Sequence, residues 1–291
     1  MAGDLFFYQQ HLHLHDAHFI RIDHEDAMVA VVYHITQPDG RQYILKICER
    51  INDYLREAYF LRHLAGKIPV PQIVEQVEPQ EGAHGAILIE YLPGALLKID
   101  QMTDSLAEEL GAYLALIHMN RLTGYGDPIQ ERLNDHPQAY FTLKFEEGLE
   151  ECKPLLPEDL IDRCRRYYES NLTLLDSVDG PCIVHRDFRP GNLIVLNGKL
   201  QGIIDWAGAR ASFAEEDLCS LVLGEWLNPF LAGYASIRPI PDYIRLTPFL
   251  GLNRAIATIG FTAKRGTWEN RHSRIYQFNR QFLETFLAIS S

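Results

Sequence analysis

The sequence predicts an α+β chain built in two unequal parts, a small β-rich unit followed by a larger, mainly helical one. Three observations carry that expectation. Strand-like runs crowd the chain before residue 92, Leu92-Pro93-Gly94 then marks a natural stop, and most of the chain beyond it has apolar residues at helical spacing. At 291 residues, one large or two packed lobes is the expected arrangement.

In chain order, residues 18–23, 28–36 and 41–48 are rich in β-formers. The second and third are joined by the turn signal Gln37-Pro38-Asp39-Gly40. From about residue 52 to 64, Tyr54, Leu55, Ala58, Leu61 and Leu64 recur at helical spacing, and Pro69-Val70-Pro71 stops the run. Strands are expected near 72–78 and 85–91, so the division falls between residues 1–91 and 92–291. A Thr103-Asp104 cap opens an amphipathic helix to 119. Further helices are expected near 136–152, 157–176, 214–227, 243–263 and 273–288, with one β-hairpin at about 193–204. Among His11, His13, His15 and His18, alternate spacing would set three imidazoles on one strand face, with Asp16 nearby. They complete no recognised zinc spacing, and a polar, solvated N-terminal segment is the expectation.

Composition narrows the function. The formal net charge is -12, which argues against nucleic-acid binding and suits a cationic partner. No run approaches the roughly 20 apolar residues of a membrane span. The N-terminal residues lack the basic and apolar regions of a secretory signal, so a cytoplasmic protein is expected. Cys48, Cys152, Cys164, Cys182 and Cys219 form no CxxC pair and read as buried thiols of a reducing compartment.

The chemistry concentrates in residues 182–209, CIVHRDFRPGNLIVLNGKLQGIIDWAGA. Asn197-Gly198 between two apolar runs signals a type I′ hairpin. Pairing Leu196 with Lys199 and counting back sets Asn192 opposite Ile203. Asp205, two residues on, then points to the same face. Asn192 and Asp205 become diagonal neighbours roughly 7–8 Å apart at the backbone. Their amide and carboxylate oxygens are hard ligands suited to Mg²⁺ together with phosphate oxygens. Asp187, five residues before Asn192, could accept the proton of an attacking hydroxyl. Arg189 could neutralise charge on a moving phosphoryl group.

The segment HRDFRPGN resembles the catalytic loop of the protein-kinase-like superfamily, and the chain from about residue 20 to 225 is similar to its aminoglycoside phosphotransferase and choline kinase-like members. The resemblance implies a bilobal protein-kinase-like fold, with a nucleotide-binding N-lobe (1–91) and a C-lobe (92–291) holding the catalytic loop and acceptor-binding helices. It implies ATP or GTP with Mg²⁺, Asp187 as the catalytic carboxylate, and Asn192 and Asp205 as metal ligands. Lys46, a charge inside the strand YILKIC, would contact nucleotide phosphates and pair with Glu57. Residues 86–94 look like the strand and hinge between lobes, where the Glu90 carbonyl and the Leu92 amide would bond adenine. Asp217 would brace the catalytic loop, and His118 would be structural. The family covers the phosphates with a small-residue loop. Here that loop, Asp23-His24-Glu25-Asp26-Ala27-Met28, has no glycine and three carboxylates, which would repel a triphosphate unless they point outward.

The function implied is transfer of the γ-phosphoryl group of ATP or GTP to a hydroxyl of a small molecule, with an amine-bearing acceptor such as an aminoglycoside favoured by the acidic balance. Glu146, Glu147, Glu150 and Glu151 form either a solvated helix face or an acidic wall for such an acceptor. Two other readings stay open: a catalytically silent nucleotide- or ligand-binding module, suggested by the acidic loop, and a protein kinase. Against the latter, only about a dozen residues separate Asp205 from Asp217, too few for the usual peptide-docking segment.

Overall fold

The computed structural model describes residues 5–22, 30–264 and 273–289. The acidic loop from Asp23 to Met28 lies outside the described residues.

The chain opens with helix α1 (Leu5–His11) and then builds an antiparallel sheet. Its strands are β1 (His18–Ile22), β2 (Ala30–Thr36), β3 (Gln42–Cys48), β4 (Ile73–Val77) and β5 (Gly85–Glu90), in the order β1-β2-β3-β5-β4. The β2–β3 turn closes as the sequence predicts. Gly40 takes φ +85°, which a Cβ would resist, and its amide donates to the Gln37 carbonyl at 2.9 Å. Helix α2 (Ile51–Leu64) crosses between β3 and β4.

Side chains alternate across the sheet, so each face has its own core. The outer face buries Ile35, Leu45, Ile47, Val77, Ala86 and Leu88 under Tyr8, Leu12 and Leu14 of the N-terminal segment. That segment is therefore neither polar nor extended: α1 and the turn after it cap the sheet, and the Tyr8 hydroxyl donates to the His84 carbonyl at 3.0 Å. His11 ends a helix, so the histidines do not line up on a strand face. Among the described residues no three His, Cys, Asp or Glu side chains gather as a metal site.

The inner face belongs to a different core. Ile87 and Ile89 join Tyr54, Ala58, Phe60, Leu61 and Leu64 of α2, and this cluster runs on into the helical part. Leu55, expected inside, is exposed, and Phe60 is buried in its place. After the short strand β6 (Ala95–Leu96) come helices α3 (Asp104–Met119), α4 (Pro137–Cys152) and α5 (Glu158–Asn171). Thr103 caps α3, accepting the Leu106 amide at 3.2 Å. Strand β7 (Cys182–Val184) pairs with β10 (Arg210–Ser212), and the hairpin β8 (Leu193–Leu196)–β9 (Lys199–Ile203) lies between them in sequence. The chain closes with α6 (Ala214–Leu218), α7 (Leu227–Ile237), α8 (Thr247–Lys264) and α9 (Arg274–Ile289). The long helix expected over 214–227 is cut short at Leu218; Gly224 takes φ +57° and a separate helix starts at Leu227. Helices α4, α5, α8 and α9 share a second core that includes Phe145 stacked on Tyr168 at 3.9 Å.

No described helix is long and apolar enough to cross a membrane. All five cysteines are free thiols, and all but Cys219 are buried.

Candidate active site

Three charged side chains meet where α2, the sheet and the β8–β9 hairpin come together. Lys46 lies on β3 opposite Ile87 and Val32, on the inner face. Its Nζ is 2.8 Å from Glu57 Oε2 of α2 and 2.7 Å from Asp205 Oδ1 just past β9. The side chains of Lys46 and Glu57 are 13% and 3% exposed, whereas that of Asp205 is 47% exposed. Burial alone would make the Lys46 ammonium shed its proton, but the Glu57 and Asp205 carboxylates more than offset that and hold it charged. Burial pushes Glu57 up despite the lysine beside it, while Lys46 holds Asp205 below the usual carboxylate range.

Asp205 has φ 65° and ψ 66°. A non-glycine residue in this left-handed region costs roughly 1–2 kcal/mol, and such outliers concentrate at functional sites. The hairpin differs from simple counting in a way that explains it. Leu196 pairs with Lys199 and Val195 with Leu200, but a bulge at Gln201 then shifts the register, so Ile194 faces Gly202 and Leu193 faces Ile203. Asn192 therefore lies opposite Ile204, not Ile203, and accepts its amide at 3.0 Å. The extra residue reverses the parity by which Asp205 was to share a face with Asn192. The left-handed turn at Asp205 re-aims its carboxylate toward Lys46.

The loop before β8 is organised around Asp187. Arg189 Nε donates to Asp187 Oδ1 at 3.0 Å, and Asn192 Nδ2 donates to Asp187 Oδ2 at 2.7 Å and to its carbonyl at 2.9 Å. With the amide nitrogen of Asn192 committed in this way, its Oδ1 is the end that can serve as a ligand. His185 ties this loop to the Asp205 segment. Its Nδ1 accepts the Asp187 amide at 3.3 Å, which makes Nε2 the protonated nitrogen that donates to the Ile204 carbonyl at 3.1 Å. Beneath it, the fully buried Asp217 accepts the amides of His185 at 2.7 Å and Arg186 at 2.6 Å, and His118 Nε2 at 3.1 Å. Arg186, at φ 67°, is the second left-handed residue of the site, and its amide is held by Asp217. His118 Nδ1 accepts from the Tyr234 hydroxyl at 2.8 Å, so the bracing continues from α6 to α3 and α7.

Glu90 and Leu92 stand apart: Glu90 is three residues along β5 from Ile87, roughly 10 Å away, and Leu92 lies two residues past the end of that strand. The Glu90 carboxylate accepts the Gln72 amide at 3.0 Å. Leu92 packs on Gly202: a Cβ there would lie 2.1 Å from Leu92 Cδ1, so a larger residue would displace the end of that side chain.

Residues 26–249 match the model of the phosphotransferase enzyme family. The chain belongs to that family. The crystal structure of aminoglycoside phosphotransferase APH(4)-Ia has the same fold, with a TM-score of 0.73 at 11% identity over 99% of this chain and 100% of that one. A thermostable mutant of that enzyme, in ternary complex with AMP-PNP and hygromycin B, gives 0.69 at 11% identity over 93% of each chain. Amicoumacin kinase hAmiN, in complex with AMP-PNP, Ca²⁺ and Ami, gives 0.69 at 18% identity over 98% of this chain and 93% of that one. At these identities the likeness is one of fold, and the fold is the bilobal kinase-like α+β architecture expected from the sequence. No curated protein matches the chain.

Counting along the sequence missed two features of this candidate site. The register sets Ile20, Ile22, Val32, His34 and Ile44 on the same face as Lys46, and Ile20 and Ile22 remain 50% and 40% exposed. The alternation Ile20-Arg21-Ile22 is the signal that could have found them. The second is Arg56, a buried guanidinium beside Glu57, which no local pattern in the sequence marks. The acidic cluster on α4, in contrast, is paired throughout. Glu146 meets Arg165, Glu147 meets Lys144, Glu150 meets Lys153 and Glu151 meets Lys264.

Proposed function

We propose that this phosphotransferase moves the γ-phosphoryl group of ATP or GTP to a hydroxyl of a small, amine-bearing molecule, in the manner of an aminoglycoside kinase. The observation that carries the reading is the convergence of Lys46, Glu57 and Asp205 beside a loop in which Asp187 is held by Asn192 and Arg189. On this reading residues 1–91 form the nucleotide-binding lobe and residues 92–291 the catalytic and acceptor-binding lobe.

The nucleobase would lie against the inner-face patch of exposed Ile20 and Ile22 and half-buried Val32 and Ile44, and bond the Glu90 carbonyl and the Leu92 amide. Lys46, kept charged by Glu57, would hold the phosphates. The donor set fits magnesium: the Asn192 amide oxygen and the half-exposed Asp205 carboxylate are hard ligands that leave room for phosphate oxygens. When bound, the ion would neutralise charge on the phosphates. Asp187 accepts the acceptor's proton and orients its oxygen for in-line attack, and Arg189, already beside Asp187, turns toward the charge developing on the transferred group. Holding both reactants in line supplies much of the acceleration, because the chemistry needs no covalent intermediate.

The net charge of -12 favours a cationic acceptor. The hygromycin B and Ami complexes of similar folds support a small molecule in that place. A peptide acceptor is disfavoured, because the chain between Asp205 and Asp217 returns as β10 onto β7.

The test is coupled release of ADP or GDP from the magnesium nucleotide across a panel of hydroxylated amines and sugars, with Asp187→Asn as the blank. Release stimulated by an amine-bearing acceptor and lost in the variant is expected. Nucleotide binding without release for any acceptor would replace the reading with a silent binding module.

A further inference from the structure

Arg56 is 7% exposed and makes three bonds, one within its own helix and two to other segments of the chain. Its Nε donates to the Ala207 carbonyl at 2.7 Å, its Nη1 to Asp127 Oδ2 at 2.7 Å, and its Nη2 to Asp53 Oδ1 one turn back on α2. Ala207 lies two residues past Asp205. Asp127 is fixed by the reciprocal amide–carbonyl bonds of Gly126 with Ala211 on β10, at 2.8 and 2.9 Å. The rigid fork of one guanidinium thus joins the helix that carries Glu57 to both sides of the segment that carries Asp205. Phe60, one turn further along α2, packs on Trp206 with ring centroids 6.2 Å apart.

A buried ion pair of this kind is a poor source of stability, because desolvation consumes most of its attraction, but it fixes geometry well. Glu57 follows Arg56 directly, so any rotation of α2 that breaks the Arg56 bonds also moves Glu57 from Lys46. We propose that Arg56 is a positioning residue. It locks α2 against the Asp205 segment, and thereby keeps Lys46 between Glu57 and Asp205 in the orientation that receives nucleotide phosphates. The inference rests on the nucleotide-site reading above.

The test is titration calorimetry of the full chain with Mg²⁺ and AMP-PNP, for wild type, Arg56→Met, Glu57→Gln and the double variant. Calorimetry separates affinity from the fraction of competent protein, which appears in the stoichiometry. If Arg56 acts through Glu57, Arg56→Met weakens binding about tenfold at unchanged stoichiometry, yet adds less than about twofold in the Glu57→Gln background, the signature of coupled sites. Unchanged affinity in Arg56→Met, reduced stoichiometry at unchanged affinity, or effects that multiply in full would each overturn the proposal. If Arg56→Met loses its cooperative melt, Arg56→Lys carries the same cycle, since an ammonium keeps the charge but cannot span three acceptors. A failure of wild type to bind, or of Glu57→Gln to weaken binding, removes the nucleotide-site reading and the inference with it.

Discussion

Replacing Asp217 with asparagine changes one atom in kind and leaves the shape of the side chain intact. The carboxylate has no exposed surface and accepts hydrogen bonds from the His185 and Arg186 amides and from His118 Nε2. Each bond to an ionised group contributes about 1.5–3 kcal/mol net. Asparagine keeps one acceptor oxygen and puts an NH₂ where the other stood, so at least one buried N–H then faces a second donor. Loss of charge assistance together with one orphaned donor comes to about 3–5 kcal/mol. Unfolding entropy of about 2.1 cal/mol/K per residue gives a chain of this length about 0.6 kcal/mol/K, so Tm falls by about 5–8 °C. The same bonds hold Arg186 in its left-handed conformation ahead of Asp187. Well below the melting temperature, kcat for phosphoryl transfer should therefore drop by about a hundredfold through misplacement of that carboxylate. Calorimetric melting and steady-state rates on the same preparation read both. A Tm within about 2 °C of wild type, or an unchanged kcat, would refute the bracing argument.

The same geometry sets further expectations. Asp217 titrates below its ordinary value of 3.8, so the unfolded chain takes up that proton first. The stability it contributes is complete above that value and is lost as pH falls through the lower, folded-state pKa. Glu57 and Glu215, pushed up by burial, act in the opposite sense, so the quantity to read is the Tm difference between wild type and Asp217→Asn. It should be flat above about pH 5 and shrink in acid; a difference independent of pH down to unfolding would contradict the sign. Asp205→Ala should weaken magnesium-nucleotide binding itself, by about tenfold or more, and also leave Lys46 with Glu57 as its remaining carboxylate partner among the described residues. Unchanged affinity by calorimetry would remove Asp205 from the metal site. Leu12→Ala empties a buried position on the outer face of the sheet at a cost of about 2–5 kcal/mol, seen as a lower denaturation midpoint. Nucleotide affinity should hold, because Lys46 points from the opposite face, and a coupled loss of affinity would contradict that face assignment.

Much of the fold and the site is legible in the sequence because both rest on a few strong local signals. The Gln37-Pro38-Asp39-Gly40 turn, the Asn197-Gly198 hairpin and the Thr103 cap each act over four residues or fewer, and each forms where expected. The pairing of Lys46 with Glu57 is implied by resemblance, and the bond is present. The bulge at Gln201 has one signal, Gly202 inside an otherwise regular strand pattern, and counting back from the turn at a uniform register passes over it. The N-terminal helix is hidden by histidines at alternate positions, although Leu5, Tyr8 and Leu12 carry helical spacing. Helix α7 escapes a sequence reading because Pro229 looks like a breaker, yet it sits in the first turn, where its absent N–H has no partner to lose. Arg56 cannot be found from sequence at all: its acceptors lie up to about 150 residues away, and only the folded chain brings them together.

The measurement that bears most directly on the central claim is mass spectrometry of the acceptor itself. Wild type and Asp187→Asn are each incubated with Mg²⁺, ATP or GTP, and a panel of amine-bearing alcohols that includes hygromycin B. The predicted result is an acceptor heavier by one phosphoryl group on a hydroxyl with wild type, and none above background with the variant, although the variant still binds nucleotide. Equal product from both proteins, or bound nucleotide that never yields a phosphorylated acceptor, would contradict it.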